Sequence, residues 1–271
     1  MLKITKILYA ILGIFLWLTV YINNHSIGIT MLFLFAAFLL YQRRSFYYSV
    51  RAAKLYSIGL VDESLRLYSK AAKIKSSAPR VKHSYAYLLL KNKQVDEAIK
   101  VLEALLNSNI TEADKNNTKL TYSLAKWKSG KLDEAVEMLE GIYPNFKTTI
   151  LYENLGYLLI LQGNYERALA INLEAYDYNS SSNVISDNLG ETYYHLGDYA
   201  KSAEIYESLV EKEPKFPEAY YHYALTLIKQ DNKEKALKNY KKALEFPESY
   251  LSNITHEDIK NAIKELENEQ K

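Results

Sequence analysis

The chain of 271 residues has no cysteine, and this absence excludes disulfide bonds and thiolate chemistry. Acidic residues are missing from its first 61 positions, where apolar side chains dominate. A large excess of basic charge is missing as well, because the net charge is only +2 at pH 7. Without a strongly basic region, the sequence predicts no nucleic-acid interface.

Sequence motifs for catalysis and cofactor binding are also absent. The chain has no glycine-rich phosphate loop, no dinucleotide fingerprint and no nucleophile elbow. None of its five histidines has a metal-ligand spacing to another histidine. His222 lies four residues after Glu218, and we expect the two to form a solvated pair on a helix surface. The sequence therefore predicts a protein that is not an enzyme and that binds no metal, cofactor or small-molecule substrate.

What the chain does contain is a degenerate repeat that fills everything after position 45. Small residues mark its phase, with successive spacings of 34, 37, 33, 34 and 34 residues. These markers are Ser64, Ala98, Ala135, Ala168, Ser202 and Ala236. Apolar residues recur at helical spacing within each unit, so each unit is predicted to form two helices. Such a period predicts a stacked helical array; the alternative is a helical bundle without repeat geometry.

A short polar turn separates the two helices of each unit. Glycine occupies this turn in four units, where a positive φ at the helix end is expected. Lys93 and Asp231 replace it in two others, and we expect looser turns or another geometry there. Small residues such as Gly156 and Gly190 recur on facing helix surfaces and would let the two backbones approach closely.

The pattern is clearest in the later units. One unit reads Asn154-Leu155-Gly156-Tyr157 and then Gly163-Asn164-Tyr165-Glu166-Arg167-Ala168, and the next reads Asn188-Leu189-Gly190-Glu191 and then Gly197-Asp198-Tyr199-Ala200-Lys201-Ser202. In pattern and period this resembles the tetratricopeptide repeat. The resemblance implies an all-α, right-handed helical-repeat solenoid of about six units.

The resemblance also sets the expected boundaries. The six units are expected at residues 45–78, 79–112, 116–149, 149–182, 183–216 and 217–250, with three extra residues before the third. Residues 251–271 are predicted to form a C-terminal capping helix, which begins with Thr255 and Asp258 in a capping-box-like arrangement.

Two apolar runs, residues 7–22 and 27–41, precede the array, and the spans that they would form are expected at about residues 4–22 and 27–44. We predict a transmembrane helical hairpin over residues 1–44. Basic residues flank the two runs only on their outer sides, so the positive-inside rule predicts that both termini are cytoplasmic. The alternatives are a cleaved signal peptide, although no small-x-small cleavage site follows the first run, and a helical hairpin that lies on or in the membrane without crossing it. No glycine or proline interrupts residues 29–58, so we expect the second span to continue unbroken into the array.

The resemblance further implies that the first helix of each unit lines a concave groove that binds a protein or peptide. Carried over unit by unit, it nominates a mixture of aromatic and charged side chains, as is typical of binding surfaces. These candidates are Arg80, His83, Tyr87, Lys91, Trp127, Lys128, Glu153, Tyr157, Asp187, Glu191, Tyr194, His195, Tyr221 and Lys229. Trp127 is the strongest of them, because it is the only tryptophan after the apolar runs; packing within the solenoid is the alternative.

Charge is segregated along the array. Residues 45–148 carry 17 basic and 11 acidic side chains, whereas residues 149–216 carry 4 basic and 11 acidic ones. An acidic stretch favours a basic or mixed ligand in the middle of the groove. Solvated helix faces are the plainer explanation of the same pattern.

These features predict a cytoplasmic scaffold of tetratricopeptide-like repeats that is anchored by two spans in a cell membrane and binds a protein or peptide partner. The composition, rich in lysine, asparagine, isoleucine and tyrosine, is typical of a bacterial protein. The alternative function is that of a regulatory or assembly subunit of a membrane enzyme or transporter, held through its transmembrane hairpin.

Overall fold

The computed structural model describes residues 13–14 and 17–269, the side chain of Glu269 excepted, and these residues form helices and no strand. The all-α prediction is therefore confirmed for the described part of the chain. The chain divides into two compact units, residues 1–82 and residues 83–271. Numbered in order, the helices are α1 (His25–Gln42), α2 (Arg44–Ser57), α3 (Val61–Lys73), α4 (Pro79–Lys91), α5 (Val95–Leu106), α6 (Glu112–Lys128), α7 (Leu132–Ile142), α8 (Thr149–Leu161), α9 (Tyr165–Tyr178), α10 (Asn183–His195), α11 (Tyr199–Glu211), α12 (Pro217–Lys229), α13 (Lys233–Ala243) and α14 (His256–Glu269).

Helix α1 corresponds to the second predicted span. Among the described residues it is the one helix whose length and apolar composition would allow it to cross a membrane. Its apolar side chains are solvent-exposed all around, and Phe33, Leu34 and Phe35 are each more than half exposed. The first predicted span, residues 4–22, lies largely outside the described residues, so the two-span hairpin stays a prediction.

Residues 17–23 are helical and pack against the start of α1. The indole Nε1 of Trp17 donates a hydrogen bond to the Gly28 carbonyl at 2.9 Å. A Cβ atom on Gly28 would lie 2.7 Å from the Cα atom of Tyr21, so only glycine permits this approach. Asn24 separates the two helical stretches and caps α1 by accepting a hydrogen bond from the Ile27 amide at 3.2 Å.

The expectation that this helix continues unbroken into the repeats is wrong. Helix α1 ends at Gln42, and α2 begins at Arg44 after Arg43 leaves the helical region with φ −92° and ψ 7°. The Arg44 side chain folds back, so that its Nη1 donates to the Tyr41 carbonyl at 2.7 Å and its guanidinium lies 3.7 Å from the Tyr41 ring centroid. This side-chain hydrogen bond takes up a carbonyl that a continuous helix would use.

The small marker residues have a clear role in the α2–α3 pair, which belongs to the first compact unit. Ser64 is fully buried, and its Oγ donates to the Ala52 carbonyl at 2.7 Å. Ser45 donates in the same way to the Ala71 carbonyl at 3.0 Å. These short side chains let the two backbones approach and also satisfy carbonyl groups at the contact.

The second compact unit, residues 83–271, is built by regular stacking. Each second helix from α5 to α11 packs against the first helix of the following pair, and the first helices α6, α8, α10 and α12 also contact one another in succession. Helix α6 has 17 residues, whereas α4, α8, α10 and α12 each have 13. The three extra residues seen in the sequence, 113–115, lie within this longer helix and do not interrupt the stack.

A hydrogen bond that repeats along the first helices fixes their register. Asn154 donates from Nδ2 to the Leu120 carbonyl at 3.1 Å, and Asn188 donates to the Glu153 carbonyl at 2.9 Å. Both bonds connect a first helix to the first helix one unit earlier. His222 occupies the same repeat position 34 residues after Asn188, so an imidazole replaces the asparagine amide there.

The turns at Lys93 and Asp231 contradict the expectation of a looser geometry. Their φ angles are 63° and 59°, in the same left-handed region as the glycines of the other four turns. The hydrogen bonds agree as well, since the amide of Lys93 donates to the Leu90 carbonyl as that of Gly130 does to the Trp127 carbonyl. Stacking of the repeat units thus imposes one turn geometry, even on residues that carry a Cβ atom.

Glycine at these two turns is expected to stabilise the protein. A non-glycine residue in the left-handed region is disfavoured by about 1–2 kcal/mol, and the greater chain entropy of glycine when unfolded offsets part of this. Lys93→Gly and Asp231→Gly should each raise the free energy of unfolding by about 0.5–1 kcal/mol in urea denaturation of the full chain. Gln94→Gly, at a φ of −91°, is the control and should give no gain; a gain of equal size there would contradict the explanation.

Helix α14 packs on α13 at the end of the stack. The Thr255 amide donates to the Asp258 carboxylate at 2.8 Å, and the Asp258 amide donates to the Thr255 hydroxyl at 3.2 Å. Ile259 and Leu266 are buried in the core of the last pair. Between α13 and α14 the chain is not helical, and this connection leads back over the first helices.

Candidate functional site

A short stretch of the connection before α14 lies directly on the predicted groove. We call residues 249–254 the C-terminal segment. Lys128 Nζ donates to the Ser252 carbonyl at 2.8 Å. The hydroxyl of Tyr157 donates to Asn253 Oδ1 at 2.9 Å and accepts from the Asn253 amide at 3.0 Å. Ser252 and Ile254 are buried. The surface of α6, α8, α10 and α12 that faces this segment is called the groove below.

Lys128 is held among aromatic rings at one end of the groove. Its Nζ lies 3.8 Å from the ring centroid of Trp127 and 4.9 Å from that of Tyr250 in the segment. Burial lowers the pKa of this ammonium to about 8. Trp127 itself is partly buried against the core and meets the Tyr157 ring edge-on, with the centroids 5.4 Å apart. It therefore packs within the array and also supports the two residues that hold the segment.

A buried cluster of charges lies further along the groove, between α10 and α12. His222 Nδ1 is 3.0 Å from Asp187 Oδ1, and His222 Nε2 is 3.5 Å from Glu191 Oε1. All three side chains are at least nine-tenths buried. The Tyr206 hydroxyl donates a bifurcated hydrogen bond to the Asp187 carbonyl oxygen at 3.1 Å and to Asp187 Oδ1 at 3.2 Å. The predicted solvated pair of His222 with Glu218 is therefore wrong, because the imidazole points inward to two carboxylates of the preceding unit.

Opposite charges set the protonation state of this cluster. Burial lowers the pKa of His222, but the carboxylates of Glu191 and Asp187 outweigh it and raise that pKa to about 9. Burial raises the pKa of Asp187. Burial also acts to raise the pKa of Glu191, but the charge of His222 and the nearby His195 bring it below its usual value. At neutral pH the cluster thus contains a protonated histidine beside an ionised Glu191.

The second oxygen of Glu191 is left without a hydrogen bond. Within the part of the chain that the structure describes, Glu191 Oε2 is buried and has no partner. Glu191 lines a pocket of about 250 Å³ between the first helices and the C-terminal segment. The other lining residues are Tyr194, His195, Tyr221, His222, Leu225, Asn253, Ile254 and Asp258. We call this the acidic pocket.

The remaining sequence candidates have separate surroundings. His83 Nε2 lies 2.7 Å from Thr121 Oγ1, and burial lowers its pKa. Glu153 accepts from Ser182 Oγ at 2.7 Å, and burial raises its pKa. Tyr87 and Lys91 are exposed on α4.

Two further candidates lie outside the acidic pocket. Arg80 is exposed and belongs to the first compact unit. Lys229 lies in a neighbouring cleft against α14 that also includes Tyr194 and Tyr221. The structure thus brings six candidates together beside the segment: Lys128, Tyr157, Glu191, Tyr194, His195 and Tyr221.

Sequence reasoning missed His222 and the C-terminal segment. A signal for His222 was present, since it follows Asp187 by 35 residues, about one repeat, and equivalent positions of neighbouring units face each other. The segment offered a weaker signal: Leu251 and Ile254 are apolar residues that precede the capping box, within the range 251–271 that was predicted as a capping helix, whereas the helix itself begins at His256. Among the described residues, no group of three or more His, Cys, Asp or Glu side chains is placed to hold a metal ion.

A comparison with known protein families identifies the repeated unit. The family model described as tetratricopeptide repeat matches residues 123–183 and 188–250. The chain contains tetratricopeptide repeats. A TPR repeat-containing protein of Methanocaldococcus jannaschii is 25% identical over 159 residues, which are 58% of this chain and 27% of that protein. The chain therefore matches about a quarter of this relative's length.

Two solved structures share the helical fold. A tetratricopeptide repeat protein from Parabacteroides merdae superimposes with a TM-score of 0.67 at 16% identity, covering 83% of this chain and 85% of that one. A chain from the APC/C hetero-tetramer Cut9-Hcn1 also gives a TM-score of 0.67, at 14% identity, covering 88% of this chain and 46% of that one. At these identities the likeness establishes the helical solenoid of repeats and no more.

Proposed function

We propose that this protein is a membrane-anchored scaffold whose tetratricopeptide repeats bind a protein or peptide partner in the groove. One observation carries the proposal: the groove already holds a non-helical stretch of polypeptide. Lys128 binds a main-chain carbonyl of that stretch, and Tyr157 binds a main-chain amide. Contacts to main-chain atoms do not depend on the sequence of the bound stretch, so the same side chains suit the backbone of a partner.

The chemistry of the groove favours a basic or mixed partner. Aromatic rings of Tyr157, Tyr194 and Tyr221 alternate with carboxylates along α8, α10 and α12, a combination typical of interface anchors. The stretch that contains most of these residues, 149–216, has 4 basic and 11 acidic side chains. Its negative potential would attract a basic segment and orient it during encounter.

The membrane part of the proposal depends on α1. At about 1.5 Å per residue, its 18 residues span about 27 Å, close to the hydrocarbon core of about 30 Å. Its large apolar side chains are exposed on all sides, which is costly in water and favourable in lipid. Arg43 and Arg44 follow it directly, as the positive-inside rule requires for a cytoplasmic end.

Photocrosslinking in native membranes tests this function. A photoreactive phenylalanine analogue would replace Tyr194 in the groove, and in the control it would replace Leu173, which is 42% exposed on the second helix α9. We expect the full-length protein to stay in the pellet after an alkaline carbonate wash. We also expect a discrete crosslinked protein from position 194 and none from position 173.

Two results would contradict the proposal. Release by carbonate would exclude anchoring through α1. Crosslinks of position 194 only to the chain's own C-terminal segment would exclude an intermolecular role of the groove, since the segment would then be its permanent occupant.

A further inference from the structure

We propose that the acidic pocket binds the guanidinium group of an arginine side chain from the partner. This inference rests on the proposed function, because it specifies which part of a basic partner enters the groove. The observation behind it is the free oxygen of Glu191. A buried carboxylate oxygen without a hydrogen bond is costly, and a ligand that donates to it would remove that cost.

The charges around the pocket match a cation. Glu191 and Asp258 line it from α10 and α14, and the carboxylates of Asp187 and Glu218 also act on His222. The protonated His222 opposes this negative charge, and the partly exposed His195 lies beside Glu191. Asp258 is already bound by Thr255, whereas Glu191 has one oxygen to offer. An added positive charge therefore finds both a favourable field and an unused acceptor.

The size and walls of the pocket favour a guanidinium over other cations. About 250 Å³ is below the range of about 300–1,000 Å³ for drug-sized ligands, so it fits a single long side chain. Tyr194 and Tyr221 supply aromatic faces, on which a planar guanidinium stacks better than an ammonium. Leu225 and Ile254 provide apolar contacts for the methylene groups that precede the charge.

A small probe tests the inference without knowledge of the partner. The probe is N-acetyl-arginine methylamide, and the matched controls are the corresponding citrulline compound, which has the same shape without the charge, and the lysine compound. Full-length protein with 13C-labelled histidine rings would be titrated in detergent micelles and followed by NMR. The arginine probe is expected to shift the His222 signal in a saturable way, with the lysine compound weaker and the citrulline compound without effect.

Variants locate the site of binding. Glu191→Gln is expected to weaken the arginine probe about tenfold or more, whereas Glu137→Gln, an exposed carboxylate on α7, should leave it unchanged. Equal shifts from arginine and citrulline would overturn the inference, and so would unchanged affinity in Glu191→Gln. If that variant does not fold, the arginine–citrulline comparison on the unaltered protein still decides. If the arginine probe does not bind but a partner is crosslinked from position 194, this inference fails and the proposed function of the groove stands.

Discussion

Replacing His222 with glutamine is expected to lower the free energy of unfolding by about 3–5 kcal/mol, a large part of a typical total stability. The imidazolium lies between Asp187 and Glu191, and all three groups are almost fully buried. Its removal leaves two carboxylates in a low-dielectric site without a counter-charge. Protonation of a carboxyl group sets an upper limit to the cost, because the site can lose one of its charges.

Urea denaturation of the full chain in detergent solution, followed by circular dichroism, measures this loss. The double variant His222→Gln/Glu191→Gln should recover much of it, since it removes the charge that had lost its partner. His195→Gln is the control, because that side chain is 34% exposed and should change the stability by less than about 1 kcal/mol. A loss as small as that of the control would show that the buried cluster contributes little.

The same histidine predicts a pH dependence with a definite sign. Its pKa is raised from 6.5 to about 9, so its contribution is complete below about pH 6.5 and is lost as the pH rises through 9. A shift of this size corresponds to roughly 3 kcal/mol. The lowered pKa of Lys128, about 8, acts in the opposite direction in part of this window. The quantity to compare is therefore the stability of the original protein minus that of His222→Gln at pH 6 and at pH 9.5, and the difference should shrink.

Much of the fold could be predicted from the sequence because the residue type at each repeat position follows from the packing of the helices at that position. The marker residues are small since they lie where two helices touch, and the 34-residue period follows from a stack of equal units. The turn geometry was mispredicted at Lys93 and Asp231 because local preference favours glycine there, while the stack imposes the left-handed conformation regardless. The break at Arg43 was missed since it depends on one arginine side chain and has no glycine or proline signal.

The candidate site was less predictable, and for a different reason. Lys128 and Tyr157 were placed by the repeat register alone, yet their contacts are with residues 124 and 96 positions away in the sequence. The periodicity of the repeat does not predict that the connection between α13 and α14 returns over the first helices. His222 illustrates the same limit, because a histidine near Glu218 on one helix resembles a surface pair until the preceding helix is placed beside it.

Gly190→Ala is expected to lower the free energy of unfolding by about 1–3 kcal/mol, although alanine favours a helix by about 1 kcal/mol over glycine. A Cβ atom on Gly190 would lie 2.7 Å from the ring of Tyr206. That ring has no room to move, since Tyr206 is fully buried and its hydroxyl donates to the Asp187 carbonyl at 3.1 Å. The steric conflict would therefore exceed the gain in helix propensity.

Gly141→Ala is the matched control for this prediction. Gly141 lies inside α7 and is exposed, and a Cβ atom there would meet nothing within 4 Å. The same chemical change should therefore stabilise the protein by about 0.5–1 kcal/mol at this position. Urea denaturation of the two full-length variants should give shifts of opposite sign. Stabilisation by Gly190→Ala would mean that the Tyr206 ring can move aside, and that the small residue of the first helix does not set the distance between the two helices of this unit.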